Sequence, residues 1–205
     1  GLEAHYGVGR IISAFMIMFI AIVMGIIAFN PNMIVKEIEK YQQRAHNEAL
    51  MKRIEADPVI RADLVELRSE LGATRAFVME THNGGTNLTN LPFLYVDMTY
   101  DEVEDGMINL ESDYKNFRLS RYPFSNFIYR EQFWCGSVED VKEIDAELYY
   151  RLKNDGTQYL GIIVMYGTYN PSGVLGITYA DADGALSPTE IRRELTKFSS
   201  KIGRL

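Results

Sequence analysis

The sequence predicts an α+β fold: an antiparallel sheet with flanking helices, preceded by a transmembrane helix and a helical stalk. Three observations lead there. Positions 11–29, IISAFMIMFIAIVMGIIAF, contain no charged residue, and a helix of that length rises about 28 Å, close to the roughly 30 Å hydrocarbon layer. Two apolar runs, YLGIIVMY at 159–166 and GVLGITYA at 173–180, flank the turn residues TYNPS at 168–172 and read as an antiparallel hairpin. Between and beyond these, apolar residues recur at four-three spacing in stretches such as 60–71 and 191–202, the period of an amphipathic helix. The implied segments are an N-terminal flank at 1–10, a span at 11–29, a stalk at 30–57 and a domain at 58–205.

The span is too long for a signal-peptide core, and the residues FNPNM that close it offer no small-residue cleavage site. His5 and Arg10 precede it, while Lys36, Lys40 and Arg44 follow. The positive-inside bias then favours a single-pass membrane protein with its C-terminal domain in the cytoplasm. Pro31 suits a first helical turn, and Ile34, Ile38, Tyr41 and Ala45 draw one apolar stripe along an otherwise charged stalk. That stripe is the candidate oligomerisation surface, packing on neighbouring copies or on the domain that follows. The span itself carries no GxxxG to specify a helix pair.

Pro58 is expected to start a second helix with Ile60, Leu64, Leu67 and Leu71 inward and Gly72 as its C-cap. A strand at 74–80 leads into a turn-rich loop, HNGGTN at 82–87, and a second strand at 93–99 follows Pro92. Residues 101–121 read as a loop with a short helix, 123–130 as helix or turn, and 133–135 as a short strand. One polar helix begins at Ser137, turns Ile144, Leu148 and Leu152 inward, and ends near Asn154-Asp155-Gly156. After the hairpin, Ser187, Pro188 and Glu190 form a capping-box start, with Ile191, Leu195, Phe198 and Ile202 on the buried face.

This order of elements, with RAFVME at 75–80, GVLGITYAD at 173–181 and SPTEI at 187–191, resembles the GAF domain family, relatives of PAS sensors. The likeness covers residues 58–205. It implies a GAF/PAS-like sheet that binds a small molecule beneath its covering loops and helices, or a dimerising module. The cysteine and histidine pattern used for tetrapyrrole attachment is missing, and no downstream output domain is expected.

A formal charge of −7 excludes a general nucleic-acid binder. Seven carboxylates between Asp97 and Asp113 face no Lys or Arg in that stretch; they mark a partner surface, a cation-attracting loop or a solvated, mobile segment. Cys135 is the only cysteine, so no intrachain disulfide forms. Zinc-site spacings, a phosphate loop and a nucleophile elbow are all missing, so neither catalytic residues nor a metal nor a cofactor is expected. Glu80 and His82 share a strand face, with Asn83 and a glycine pair next to them. Together with Tyr95 and Asp97 of the next strand, His82 and Asn83 are the candidate ligand-binding residues; the simpler alternative is a capped strand end. Trp134 and Cys135 belong to the pocket or to ordinary core. The triplet Asn87-Leu88-Thr89 is formally a glycosylation acceptor.

Two functions stand side by side. The first is a membrane-anchored module of a homo-oligomeric assembly. The alternative is a small-molecule sensory domain regulating a partner protein. An enzyme ranks third. The expected partners are the lipid bilayer, further copies of the chain, and a small molecule or protein.

Overall fold

The computed structural model describes residues 2–29, 31–86, 92–166 and 171–204. The chain divides into two units, 1–54 and 55–205. The glycosylation triplet and most of the hairpin turn lie outside the described residues, as do the side chains of Ile34 and Asn83.

In the first unit, α1 (Leu2–Phe29) contains the apolar run. Among the described residues no helix is long and apolar enough to cross a membrane. The transmembrane helix expected at 11–29 is therefore not shown. Ile38 and Tyr41 of the stalk stripe are 52% and 76% exposed, and Ala45 is exposed too.

Where two helices were expected, α2 (Pro31–Leu71) is continuous with Pro58 inside it. Proline there forfeits the bond to the Ile54 carbonyl and costs about 3 kcal/mol. Ile60, Leu64, Leu67 and Leu71 are buried just beyond. At about 1.5–3 kcal/mol for each buried aliphatic side chain, their packing outweighs that cost.

The second unit is built on a six-stranded antiparallel sheet in the order β3-β2-β1-β6-β5-β4. Its strands are β1 (Arg75–Thr86), β2 (Pro92–Val103), β3 (Phe117–Arg118), β4 (Phe133–Ser137), β5 (Tyr159–Tyr166) and β6 (Pro171–Tyr179). The hairpin read at 159–180 is the β5–β6 pair, with Gly161 opposite Ile177 and Ile163 opposite Leu175. The loop expected at 82–87 is instead mostly strand. β1 runs through the glycine pair, because β2 pairs along it from Arg75 to Thr86.

Helices cover both faces. On one face, α2 and α6 (Pro188–Ile202) enclose a core of Leu64, Leu67, Val78, Leu175, Ile177, Leu195 and Phe198. Gly161 permits this closeness, since a Cβ there would lie 2.8 Å from a methyl of Ile191. The capping box of Ser187 and Glu190 forms as read. Against the other face pack α3 (Pro123–Glu131), α4 (Val138–Ile144) and α5 (Ala146–Asn154). The single helix expected from Ser137 breaks at Asp145, whose carboxylate accepts the N–H groups of Leu148 at 3.0 Å and Phe124 at 3.3 Å. A helix start is thereby capped and α3 tied to it.

The strands assign residues to faces by alternation. Val78 opposes Tyr100 and Met79 opposes Met98, so Thr99 is bulged. Val96 and Met98 consequently face α3–α5, while Tyr100 joins the α2–α6 side. The acidic stretch that follows is pinned rather than merely solvated. Arg75 pairs with Asp101, and Arg61 reaches Glu102 at 3.0 Å and Glu111 at 3.5 Å.

Candidate functional site

Between the sheet and the α3–α5 layer lies a partly open cavity of about 90 Å³. Its floor is the alternate-residue set Phe77 and Met79 of β1, Val96 and Met98 of β2, Leu160 and Ile162 of β5, and Val174 and Thr178 of β6. Phe124, Ile128 and Tyr129 of α3 and Leu148 and Leu152 of α5 roof it, and Leu110 and Tyr114 close one side. Phe77 lies flat because β6 carries Gly176 beneath it: a Cβ there would sit 2.2 Å from the ring.

Few polar groups reach this space, and most are already engaged. Arg75, 5% exposed, pairs with Asp101 and donates to the Ile108 carbonyl at 2.8 Å. Asp101 accepts the Leu110 N–H at 2.7 Å as well. The Tyr114 hydroxyl donates to Asp155 at 2.5 Å, with the Arg151 guanidinium 4.3 Å above its ring. Burial pushes the Tyr114 phenol up, and the Asp155 carboxylate raises it further. Asp101 Oδ1 and the Tyr129 hydroxyl are buried without a hydrogen-bond partner among the described residues, and of these two residues Tyr129 lines the cavity. Burial, with Tyr166 as a lesser cause, pushes that phenol up to about 12, so it keeps its proton.

The structure brings three of the sequence-predicted residues together, but elsewhere. His82 Nε2 lies 3.1 Å from Asp97 Oδ1, and the His82 ring stacks on Tyr95 at 6.0 Å. Asp97 also accepts the Asn116 N–H at 2.5 Å. Burial raises the Asp97 carboxyl, yet the Asn116 N–H and His82 outweigh it and hold it below its ordinary value. The backbone of Asn83 pairs with Leu94. None of His82, Tyr95 and Asp97 lines the cavity. His82 alternates with Met79 and Thr81 on β1, and Tyr95 and Asp97 alternate with Val96 and Met98 on β2, so these three belong to the opposite sheet face. The signal was present in the sequence as the period-two set Phe77, Met79, Val96, Met98, which reads as plain core until the cavity above it is seen.

Trp134 packs toward the cavity-side core, edge-on to Phe124 at 5.2 Å, without lining the space. Cys135 packs on the α2–α6 side, its thiol donating to the Tyr159 hydroxyl at 3.3 Å. Burial pushes that thiol up, the opposite of an activated nucleophile. Among the described residues no group of three or more His, Cys, Asp or Glu side chains is placed to hold a metal ion.

Solved structures share this fold. A phycoerythrobilin-bound GAF domain from a cyanobacterial phytochrome matches with a TM-score of 0.57 at 12% identity, covering 78% of this chain and 90% of that one. The phycocyanobilin-bound GAF domain of a cyanobacterial phytochrome gives 0.55 at 13% identity, over 78% and 91%. A GAF domain from Synechocystis sp. in its photoproduct state gives 0.53 at 17% identity, over 72% and 90%. No family model and no curated protein matches the chain. The chain thus has an α+β GAF-like fold. A bilin does not fit its residues as they stand. The lone cysteine faces away from the cavity, and about 90 Å³ is well below the roughly 300–1,000 Å³ of pockets for drug-sized ligands.

Proposed function

We propose that residues 55–205 form a GAF-like sensory domain that binds a small molecule between its sheet and the α3–α5 layer and thereby regulates a partner. One observation carries this reading: a partly open, apolar-walled cavity interrupts the core, and Tyr129, whose buried hydroxyl has no partner among the described residues, lines it. Native interiors seldom leave either feature without a use. The fold comparison supports the same reading, since these neighbours are bilin-binding or photosensory GAF domains. Catalysis has no comparable support, because the charged groups beside the cavity, Arg75 and Asp155, are each held by a partner.

The test is a small-metabolite screen against the full chain, read by thermal shift and by the ε-methyl NMR signals of Met79 and Met98. A binder moves both methyls and raises Tm in a saturable way. A broad screen in which no compound perturbs them removes the reading.

Self-association through the stalk is the second reading, favoured by the exposure of Ile38 and Tyr41 on one helix. It predicts an oligomer that Ile38→Glu with Tyr41→Glu dissociates; a monomer at micromolar concentration before and after the change overturns it. Membrane attachment rests on the apolar run of the sequence, and flotation of the chain with anionic lipid vesicles tests it.

A further inference from the structure

The cavity's chemistry narrows what it accepts. Its one cationic lining residue, Arg75, is paired with Asp101 and donates to the Ile108 carbonyl, so its charge is already balanced before a carboxylate or phosphate could reach it. The carboxylate that borders it, Asp155, is held by the Tyr114 hydroxyl and adds negative charge to the wall. An anion placed there would lose its hydration and meet no compensating charge. The remaining walls are aliphatic and aromatic side chains, two methionines, and Ser125, Thr157 and Thr178. Methionine thioethers and methyls adapt to irregular apolar shapes.

Size sets the second limit. An engineered apolar cavity of about 150 Å³ takes up benzene, so the roughly 90 Å³ here suits a compact molecule of similar or smaller bulk. The third limit is the Tyr129 hydroxyl. Tyr129 lines the cavity, its hydroxyl is shielded from water and has no partner among the described residues, and its raised ionisation keeps it a donor at physiological pH. A buried donor left unmade costs about 1–3 kcal/mol, which an acceptor on the bound molecule would recover.

We infer that the cavity selects a small, uncharged, largely apolar molecule with a single hydrogen-bond acceptor, such as a compact ketone, aldehyde or ester, and that Tyr129 is the group that reads the acceptor. This rests on the ligand-binding reading above and sharpens it: the specificity residue is a phenol on α3, and charge is excluded. Tyr166 is a neighbour of this phenol, and its own hydroxyl is engaged with Gln132 at 2.5 Å.

Three matched probes test the inference on the full chain: cyclopentanone, its isostere methylenecyclopentane, and cyclopentanecarboxylate. Binding is followed at the ε-methyls of Met79 and Met98, with Met165 on the opposite sheet face as the internal control. The ketone and the alkene shift the cavity methyls and leave Met165 unmoved, and the carboxylate does neither. In Tyr129→Phe the ratio of ketone to alkene affinity falls about 3- to 10-fold, the worth of one neutral hydrogen bond. A measurement independent of any variant is the carbonyl stretch of the bound ketone, which lies below its frequency in hexane when Tyr129 donates to it.

Each remaining outcome overturns a different claim. If the neutral probes bind but the ratio is unchanged in Tyr129→Phe and the stretch is hydrocarbon-like, the role of Tyr129 is wrong while ligand binding stands. A carboxylate that binds as tightly as the ketone overturns the exclusion of charge. If neither neutral probe moves Met79 or Met98 at any soluble concentration, the ligand-binding reading itself falls.

Discussion

Single side chains decide how the cavity is held and what it can titrate. Arg75 and Asp101 are 5% and 0% exposed, so their pair is worth little against two apolar residues, but each is costly to leave alone. Arg75→Met is expected to lower the unfolding free energy by about 3–5 kcal/mol, seen as a lower urea midpoint. Adding Asp101→Leu should recover much of the loss; a single variant as stable as the parent would refute the ion pair's structural role. Tyr129 and Tyr179 give a pH signature. Burial raises both to about 12 in the folded chain, against roughly 10 when unfolded. Above pH 10 the unfolded chain sheds these protons first. The folded state is therefore favoured fully below pH 10 and loses that advantage as pH rises toward 12. Urea midpoints should fall across that window, less steeply in Tyr129→Phe. Tyrosinate absorbance rising near pH 10 with no loss of stability would count against burial of these phenols. Asp97 acts with the opposite sign: its lowered carboxyl favours the folded state above its unfolded value, and that contribution fades as pH drops below about 4. Its side chain is 35% exposed, so screening keeps the effect under about 1 kcal/mol.

At the scale of elements, strand parity separates what was legible from what was not. The hairpin of β5 and β6, the inward stripes of α2 and α6, and the Ser187 capping box are periodic or local signals, and the structure repeats them. β1 was cut short because Gly84 and Gly85 signal a turn locally, whereas pairing with β2 extends the strand through them. Polarity singled out His82, Tyr95 and Asp97, yet they alternate with the cavity residues and so lie on the other sheet face. Asp145 dividing α4 from α5 was hidden too, since its second partner, the Phe124 N–H, comes from a distant part of the chain. Gly176 offers a test of the cavity floor. Its Cβ would meet the Phe77 ring at 2.2 Å, so Gly176→Ala should cost about 1–3 kcal/mol through overpacking. Combining it with Phe77→Leu should relieve part of that cost, measured as a non-additive double-mutant cycle. Strict additivity would show that the ring is not the obstacle.

For the whole molecule, the division into 1–54 and 55–205 predicts that the second unit folds alone. A chain of residues 55–205 should unfold cooperatively, with the Met79, Met98 and Met165 methyl signals of the full chain; broad, collapsed signals would show that the first unit is needed. Composition and periodicity alone determined the α+β class and the helical N-terminal third, because these follow from residue type and from spacing within one element. The apolar run at 11–29 is likewise a property of sequence, and its relation to a membrane still rests there. Only the tertiary structure decided which sheet face holds a cavity, that Arg75 is neutralised by Asp101, and that the Tyr129 hydroxyl is left without a partner among the described residues. Those facts depend on residues far apart in the chain being brought together, and a bulge at Thr99 that shifts strand parity by one residue is enough to change which side chains meet.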